Sequence, residues 1–381
     1  MTRFIEFMIS LLIVIVVFLV IGLFLPSKRN FVYSIETNRP MATVNDLLNG
    51  FSRFKDWNPI VHYDPRMTTE VSGPPMGPGA KFSYHSEERL IGDGSWTVAE
   101  SVPGQKIVYT IDNNSRGNDK QMIFTFERTG QRNQNVKITQ EYKINYGWDL
   151  LGRYAGLYVS RNVGDDIKRG LDRFSNFLAT IPKFDYGNHP GEFAFVDMPA
   201  QDLLFVTTGA KRDNDAIATQ MTVQQSWIKK VMDSNGLVAA GPLRIITNEF
   251  TGSSYGFDVA MPVRKGSGAP VAADTEAAAP AAGTSTEVAA AADMPPVAAG
   301  EPLTVKLEGP VKYLQQPARR VATTTYTGPA PGLPQQRDIL RAWVMTHGAD
   351  TQDRPYEEYL GGVATMMDED ANFKVYWPVK K

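Results

Sequence analysis

Arg354-Pro355-Tyr356-Glu357-Glu358-Tyr359-Leu360 decides how the C-terminal half reads. Proline opens the stretch, and the residues after it read as the start of a strand. Strand side chains alternate, so Glu357 and Tyr359 share one face, while Glu358 takes the other and is expected in solvent. Upstream, Gln336 to Thr346 has a helical pattern and carries Trp343. Downstream, Phe373 to Val379 reads as a strand ending Trp377-Pro378-Val379. One acid among aromatic rings suits an amphipathic cation, because ring faces attract a cation and the acid supplies the counter-charge. In such a cleft desolvation would raise the pKa of Glu357 until a cation compensates it. Glu357, Tyr359, Trp343, Trp377 and Tyr326 are therefore candidate ligand contacts. Both tryptophans also fit ordinary core positions.

The same layout occurs earlier. Leu203 to Thr208 is an apolar strand with a counterpart in Arg320 to Tyr326. The helix pattern Gln220 to Asp233 matches Gln335 to Thr346. Asn235-Gly236 and His347-Gly348 each close a helix, as a left-handed glycine does. Gly241-Pro242 and Arg354-Pro355 each open a strand pair, and Met261-Pro262-Val263 parallels Trp377-Pro378-Val379. A duplicated strand–helix–strand–strand unit follows. Two such units leave a groove between them, where pockets commonly form.

These two units, their Gly-Pro and Pro-Val punctuation, and the Pro-x-Glu-x-Tyr of Pro355, Glu357 and Tyr359 resemble the GyrI-like effector-binding domain. The resemblance covers roughly Glu192 to Lys381. It implies a cleft for amphipathic, often cationic, compounds, with the acid at Glu357 and its neighbouring ring at Tyr359. Some members of that family hydrolyse reactive small molecules with the same acid. Two departures stand out: a long insertion parts the units, and Arg244 replaces an acid on the equivalent strand of the first.

Length and composition bound the rest. A chain of 381 residues has room for two or three domains. A formal net charge of -2 gives no basic balance for nucleic acid, and no helix-turn-helix pattern or basic arm is visible. Cysteine is absent, which excludes disulfides and thiolate metal sites. His62, His85, His189 and His347 are scattered, so no metal is expected; nor is a cofactor, since neither a phosphate loop nor a dinucleotide fingerprint occurs.

Phe7 to Leu25 is almost wholly Leu, Ile, Val and Phe, with Ser10 and Gly22 among them. At about 1.5 Å per residue it extends roughly 28 Å, close to the hydrocarbon core. No small-x-small cleavage site follows, which favours an uncleaved single-pass anchor (residues 1–29) in the inner membrane over a signal peptide or core helix. Arg3 lies on one side and Lys28, Arg29 and Arg39 on the other. The positive-inside bias leans towards a cytoplasmic body, the very short tail towards the opposite, and both orientations stand.

The N-terminal half runs strand (Phe31 to Thr37), helix (Pro40 to Phe54), Trp57-Asn58-Pro59, then strands at Lys81 to His85, Glu88 to Ile91, Ser95 to Ser101, Lys106 to Ile111, Gln121 to Arg128 and Val136 to Tyr146. A long amphipathic helix closes it, Tyr154 to Ile181, apolar at Val159, Val163, Ile167, Leu171, Phe174 and Leu178. This is a helix-grip order, in which a curved sheet wraps the last helix. The Trp57-Asn58-Pro59 ending, the Gly77-x-Gly79 turn before Phe82 and the final helix resemble the START-like, polyketide-cyclase-type (SRPBCC) family. The resemblance implies a hydrophobic ligand cavity but no single chemistry. Trp57, Phe82, Tyr84, Trp96, Tyr109, Phe124 and Phe126 are candidate lining residues, each also readable as core filling.

The expected fold is thus α+β: a transmembrane helix, a helix-grip domain over residues 30–183, and a duplicated βαββ domain over 184–381. Pro182 to Pro190 reads as the linker. An Ala/Pro-rich insertion within 264–302, chiefly Gly266 to Gly300, is too poor in large apolar residues to fold and reads as a disordered tether. Gly252-x-Ser254-x-Gly256 fits a nucleophile motif on paper, but a strand follows instead of a helix, so it reads as a hairpin turn. Asp368-Glu369-Asp370 reads as a solvated tip.

Three functions follow. The first is a membrane-anchored binder of hydrophobic or amphipathic small molecules, cationic ones among them. The second is a hydrolase or cyclase with Glu357 as general acid or base. The third is a ligand-sensing regulator acting through a protein partner, for which no motif is visible.

Overall fold

The computed structural model describes residues 2–89, 91–266 and 301–380, with the side chains of 2 and 159–162 excepted. Apart from Gly266, the expected tether lies outside the described residues, as does the side chain of Val159. The chain divides into two compact units, Met1–Gly187 with Thr346–Gly348, and Asn188–Met345 with Ala349–Lys381.

The first unit opens with α1 (Thr2–Phe24), an apolar helix whose length and composition fit a membrane anchor or a signal sequence equally. Strand β1 (Lys28–Thr37) follows, then two short helices, α2 (Met41–Leu48) and α3 (Phe54–Trp57). One continuous helix was expected here. The break falls at Asn49-Gly50, where a β-carbon on Gly50 would sit 3.2 Å from Met76 and closer still to the Pro75 carbonyl.

Strands β2 (Thr68–Ser72), β3 (Lys81–His85), β4 (Asp93–Val102), β5 (Lys106–Asn113), β6 (Asn118–Thr129) and β7 (Asn135–Asn145) complete a seven-stranded antiparallel sheet in the order β1-β7-β6-β5-β4-β3-β2. At the expected strand Glu88 to Ile91 the described residues, 88, 89 and 91, form a bend and turn, and β2, an exposed edge strand without apolar alternation, escaped the sequence reading. Register shifts between Val98 and Glu100 and between Asn118 and Gln121 bend the strands and help curl the sheet.

The long helix α4 (Leu150–Thr180) is capped by Asp149, whose carboxylate accepts from the Gly152 amide at 2.9 Å. Its buried stripe, Ile167, Leu171, Phe174 and Leu178, keeps helical spacing. Ile167 and Leu171 pack with Tyr142, Ile144 and Tyr146 of the sheet side. Further along, Phe51, Phe54, Trp57, Phe82, Trp96, Tyr109, Phe124 and Phe174 form one chain of ring contacts with centroids 4.8 to 6.4 Å apart. Each such buried ring contributes about 1.5–3 kcal/mol by leaving water.

In the second unit come β8 (Phe193–Met198), β9 (Gln201–Lys211), α5 (Asn214–Ser234), β10 (Leu237–Ala239), β11 (Leu243–Phe250) and β12 (Ser254–Lys265). After the insertion follow β13 (Lys312–Gln316), β14 (Arg319–Thr327), α6 (Leu333–Thr346), β15 (Asp350–Thr351), β16 (Tyr356–Tyr359) and β17 (Asn372–Lys380). The sheet order is β13-β9-β12-β11-β16-β17-β14-β8. Its centre is the antiparallel β11–β16 pair, in which Ile245 faces Glu357 and Arg244 faces Glu358. Helices α5 and α6 contribute Met221, Ile228, Val231, Leu340 and Val344 to one core with Val206, Phe257, Val259 and Val375 of the strands. Thr251 to Ser253 form the β11–β12 hairpin turn, Ser254 to Gly256 already belong to β12, and no helix follows.

Candidate functional site

In the first unit, α3, α4 and the inner face of the sheet leave a cavity of about 530 Å3. That volume lies within the range of sites for small molecules. Trp57, Tyr84 and Trp96 line it, together with Ile111, Met122, Gln140, Tyr142, Val163 and Ile167. Gly94, paired with Tyr84 across the strands, gives that ring its room: a β-carbon there would come within 2.6 Å of the ring. One end of the cavity is polar. Tyr63 donates to Asp166, and both line the wall, as do Arg89, Asn113, Asn114 and Ser115. Lys120, itself buried, fastens that rim by donating to the Asn113 side chain at 2.7 Å and to the Ser115 carbonyl at 2.6 Å. Burial lowers its pKa. Burial likewise raises that of Tyr84, so the phenol stays protonated at neutral pH.

Three wall residues have unmet hydrogen-bonding capacity. Trp57 Nε1, Trp96 Nε1 and Gln140 Oε1 are buried without a partner among the described residues. Buried polar groups are rarely left so, and each calls for an explanation. The amide nitrogen of Gln140 reaches only the Met122 sulfur, at 3.1 Å.

Of the residues singled out in the sequence, Phe82, Tyr109 and Phe124 do not line this cavity. They are fully buried in the ring core, where Tyr109 donates to the Leu48 carbonyl, and Phe126 is buried too. Gln140 was missed, although a signal exists: it is the polar member of the inward row Ile138, Gln140, Tyr142.

In the second unit Tyr359 and Glu357 do share a face, and Glu357 is 0% exposed. It is not a lone acid. Arg337 of α6 holds both carboxylate oxygens, Nε to Oε1 at 2.5 Å and Nη2 to Oε2 at 3.1 Å. The cation expected from a ligand is therefore already supplied by the chain. Burial opposes the Arg337 charge, but Glu357 and Tyr255 outweigh it and raise its pKa. Glu358 is a further correction: it is buried rather than solvated. Arg244 donates to it from Nε at 3.0 Å and Nη2 at 2.8 Å, and the Tyr376 hydroxyl at 2.9 Å. The sheet face that was expected to meet water carries its own cluster of Val321, Tyr356 and Tyr376.

Trp343 stacks on Phe193 and leans on Phe195, at 5.4 and 4.7 Å. Trp377 and Tyr326 pack against the main core, and the Tyr326 hydroxyl donates to the Pro329 carbonyl. None of these three lines a cavity with Glu357.

No protein-family model matches the chain, and no curated protein matches it. Among solved structures it is similar to the crystal structure of the EcmrR C-terminal domain, at 15% identity over 50% of this chain and 99% of that one, with a TM-score of 0.36. It is similar also to EcmrR in a cryo-EM DNA complex, at 15% identity over 62% and 86%, TM-score 0.35. A third likeness is to protein Ms6760 from Mycobacterium smegmatis, at 12% identity over 40% and 91%, TM-score 0.28.

Proposed function

We propose that the chain is a membrane-anchored binding protein that captures or senses amphipathic small molecules in the cavity of its first unit. The observation that carries this reading is that cavity: about 530 Å3, apolar along Ile111, Met122, Val163 and Ile167, polar at Tyr63, Asp166 and Asn113, with three unpartnered polar atoms in its wall residues. An apolar body with a polar group suits such a lining. Trp57, Tyr84 and Trp96 are its aromatic contacts in this reading. The curled sheet gripping α4 supports the START-like assignment. The symmetric strand order about the β11–β16 seam, each half carrying one helix, supports a duplicated βαββ unit of GyrI-like kind.

The anchor is α1. Arg153 donates to the Gly22, Leu23 and Leu25 carbonyls at 3.4, 3.0 and 3.3 Å, and so satisfies the end of that helix. Tyr154 stacks on Phe18 at 4.1 Å. Trp148 and Tyr158 nearby are exposed, as rings of a membrane-interface belt are. The general acid/base reading of Glu357 loses its support, since Arg337 occupies both its oxygens.

The test is energy transfer from tryptophan to a dansyl-labelled fatty acid in the full chain held in amphipol. Trp57 and Trp96 stand at the wall, so saturable transfer is expected. The cavity-filling pair Ile111→Phe and Val163→Phe abolishes it. Transfer that never saturates, or is unchanged in the filled variant, counts against the proposal.

A further inference from the structure

The second unit holds a smaller cavity, of about 110 Å3, at the place where α5 and α6 both begin. It is smaller than the engineered cavity of about 150 Å3 that accepts benzene, so it encloses a short chain or only part of a single ring. Its apolar wall includes Ile217, Met221 and Leu333.

Its charge is one-sided. No carboxylate is among the wall residues, whereas Arg212 and Arg337 are. Glu357 stands behind Arg337. Asp213, beside the start of α5, is engaged as its cap and accepts from the Ala216 amide at 3.0 Å. The bonds of Arg337 to described residues run from Nε and Nη2, which leaves Nη1 without one. Tyr359, 4% exposed, lines the same cavity, and its hydroxyl makes no hydrogen bond to a described residue. Burial, then the charge of Glu357, hold that phenol protonated, so it can only be matched by an acceptor if it donates. Arg212 stacks over Phe250 at 4.4 Å. The N-terminus of α6 adds partial positive charge, whereas that of α5 is met by Asp213 and Asp215.

We propose that this cavity binds a small carboxylate bearing one ring or a short apolar chain, with Arg337 Nη1 and the Tyr359 hydroxyl donating to the carboxylate. The class is opposite in charge to the one the family resemblance implies, and it does not depend on the cavity of the first unit. The Arg337–Glu357 pair sets the preference: the acid holds the guanidinium still, and the guanidinium takes the place a ligand cation would fill.

The experiment is calorimetric titration of the full chain in detergent with benzoate, benzyl alcohol and benzyltrimethylammonium at pH 7. Saturable benzoate binding is expected, with the other two at least about tenfold weaker, the worth of one charge-assisted hydrogen bond. Tyr359→Phe, which keeps the ring and the fold, weakens benzoate about tenfold. Arg212→Gln reduces its salt dependence, and the Ile111→Phe, Val163→Phe filling of the first cavity leaves it unchanged. Absence of benzoate binding overturns the proposal. So does equal or tighter binding of the cation or the alcohol, and so does benzoate affinity untouched by Tyr359→Phe.

Discussion

Arg337 and Glu357 bear the sharpest consequence at the scale of single residues. Both are buried, and removal of one strands the other's charge. Arg337→Met alone is expected to destabilise the second unit by about 3–5 kcal/mol, while Arg337→Met with Glu357→Met restores most of it. Thermal and urea unfolding of both variants measures this. If the single variant matched the double, the pair would not be coupled. Alternation alone placed Glu357 with Tyr359 and Glu358 opposite, and both placements hold. What alternation could not show was burial on both faces. Glu358 meets Arg244 from 114 positions away and Glu357 meets Arg337 from 20, so neither partner belongs to its local pattern. The same limit explains the aromatic residues of the first unit. Phe82 and Tyr84 point to one face of β3, yet packing with Phe51 and Phe54 puts Phe82 in the core and leaves Tyr84 at the cavity.

At the scale of elements, α4 carries most of the organisation of the first unit, and its start is held by Asp149. The Gly152 amide holds that carboxyl below its usual range, with Arg116 adding to the effect. A lowered folded-state pKa means stability present above the unfolded value and lost as pH falls through the folded one. Asp149→Ala is therefore expected to cost about 1 kcal/mol at pH 7, and the cost shrinks under acid, below about pH 4. Denaturant melts across pH test it; a cost that stays constant would remove Asp149 as the cap. In the proposed anchored arrangement the start of α4 meets the membrane. Trp148, 83% exposed, lies just before it, under the Arg153 guanidinium that reaches the end of α1. In nanodiscs, lipids brominated near the headgroup should quench wild-type fluorescence measurably more than that of Trp148→Phe. Equal quenching would place that turn away from the bilayer.

For the whole molecule, the mixed α+β character and most long elements were legible because turns and periodicity are local. The expectation of a helix-grip run and of a repeated strand–helix–strand–strand order came from glycine, proline and alternation. Edge strands β2, β8 and β13 were not, since an edge strand owes its existence to a neighbour rather than to its own apolar pattern. Cavity walls were legible only in part: Trp57, Tyr84 and Trp96 stood out as large rings, whereas Met122, Gln140 and Ile167 reach the cavity through the curl of the sheet over α4. In the proposed function that hollow is a binding site. Native mass spectrometry of the full chain released from lipid nanodiscs tests it most directly. Wild type should retain one amphipathic molecule that the Ile111→Phe, Val163→Phe variant has lost; an empty wild type, or the same adduct on both, would contradict it.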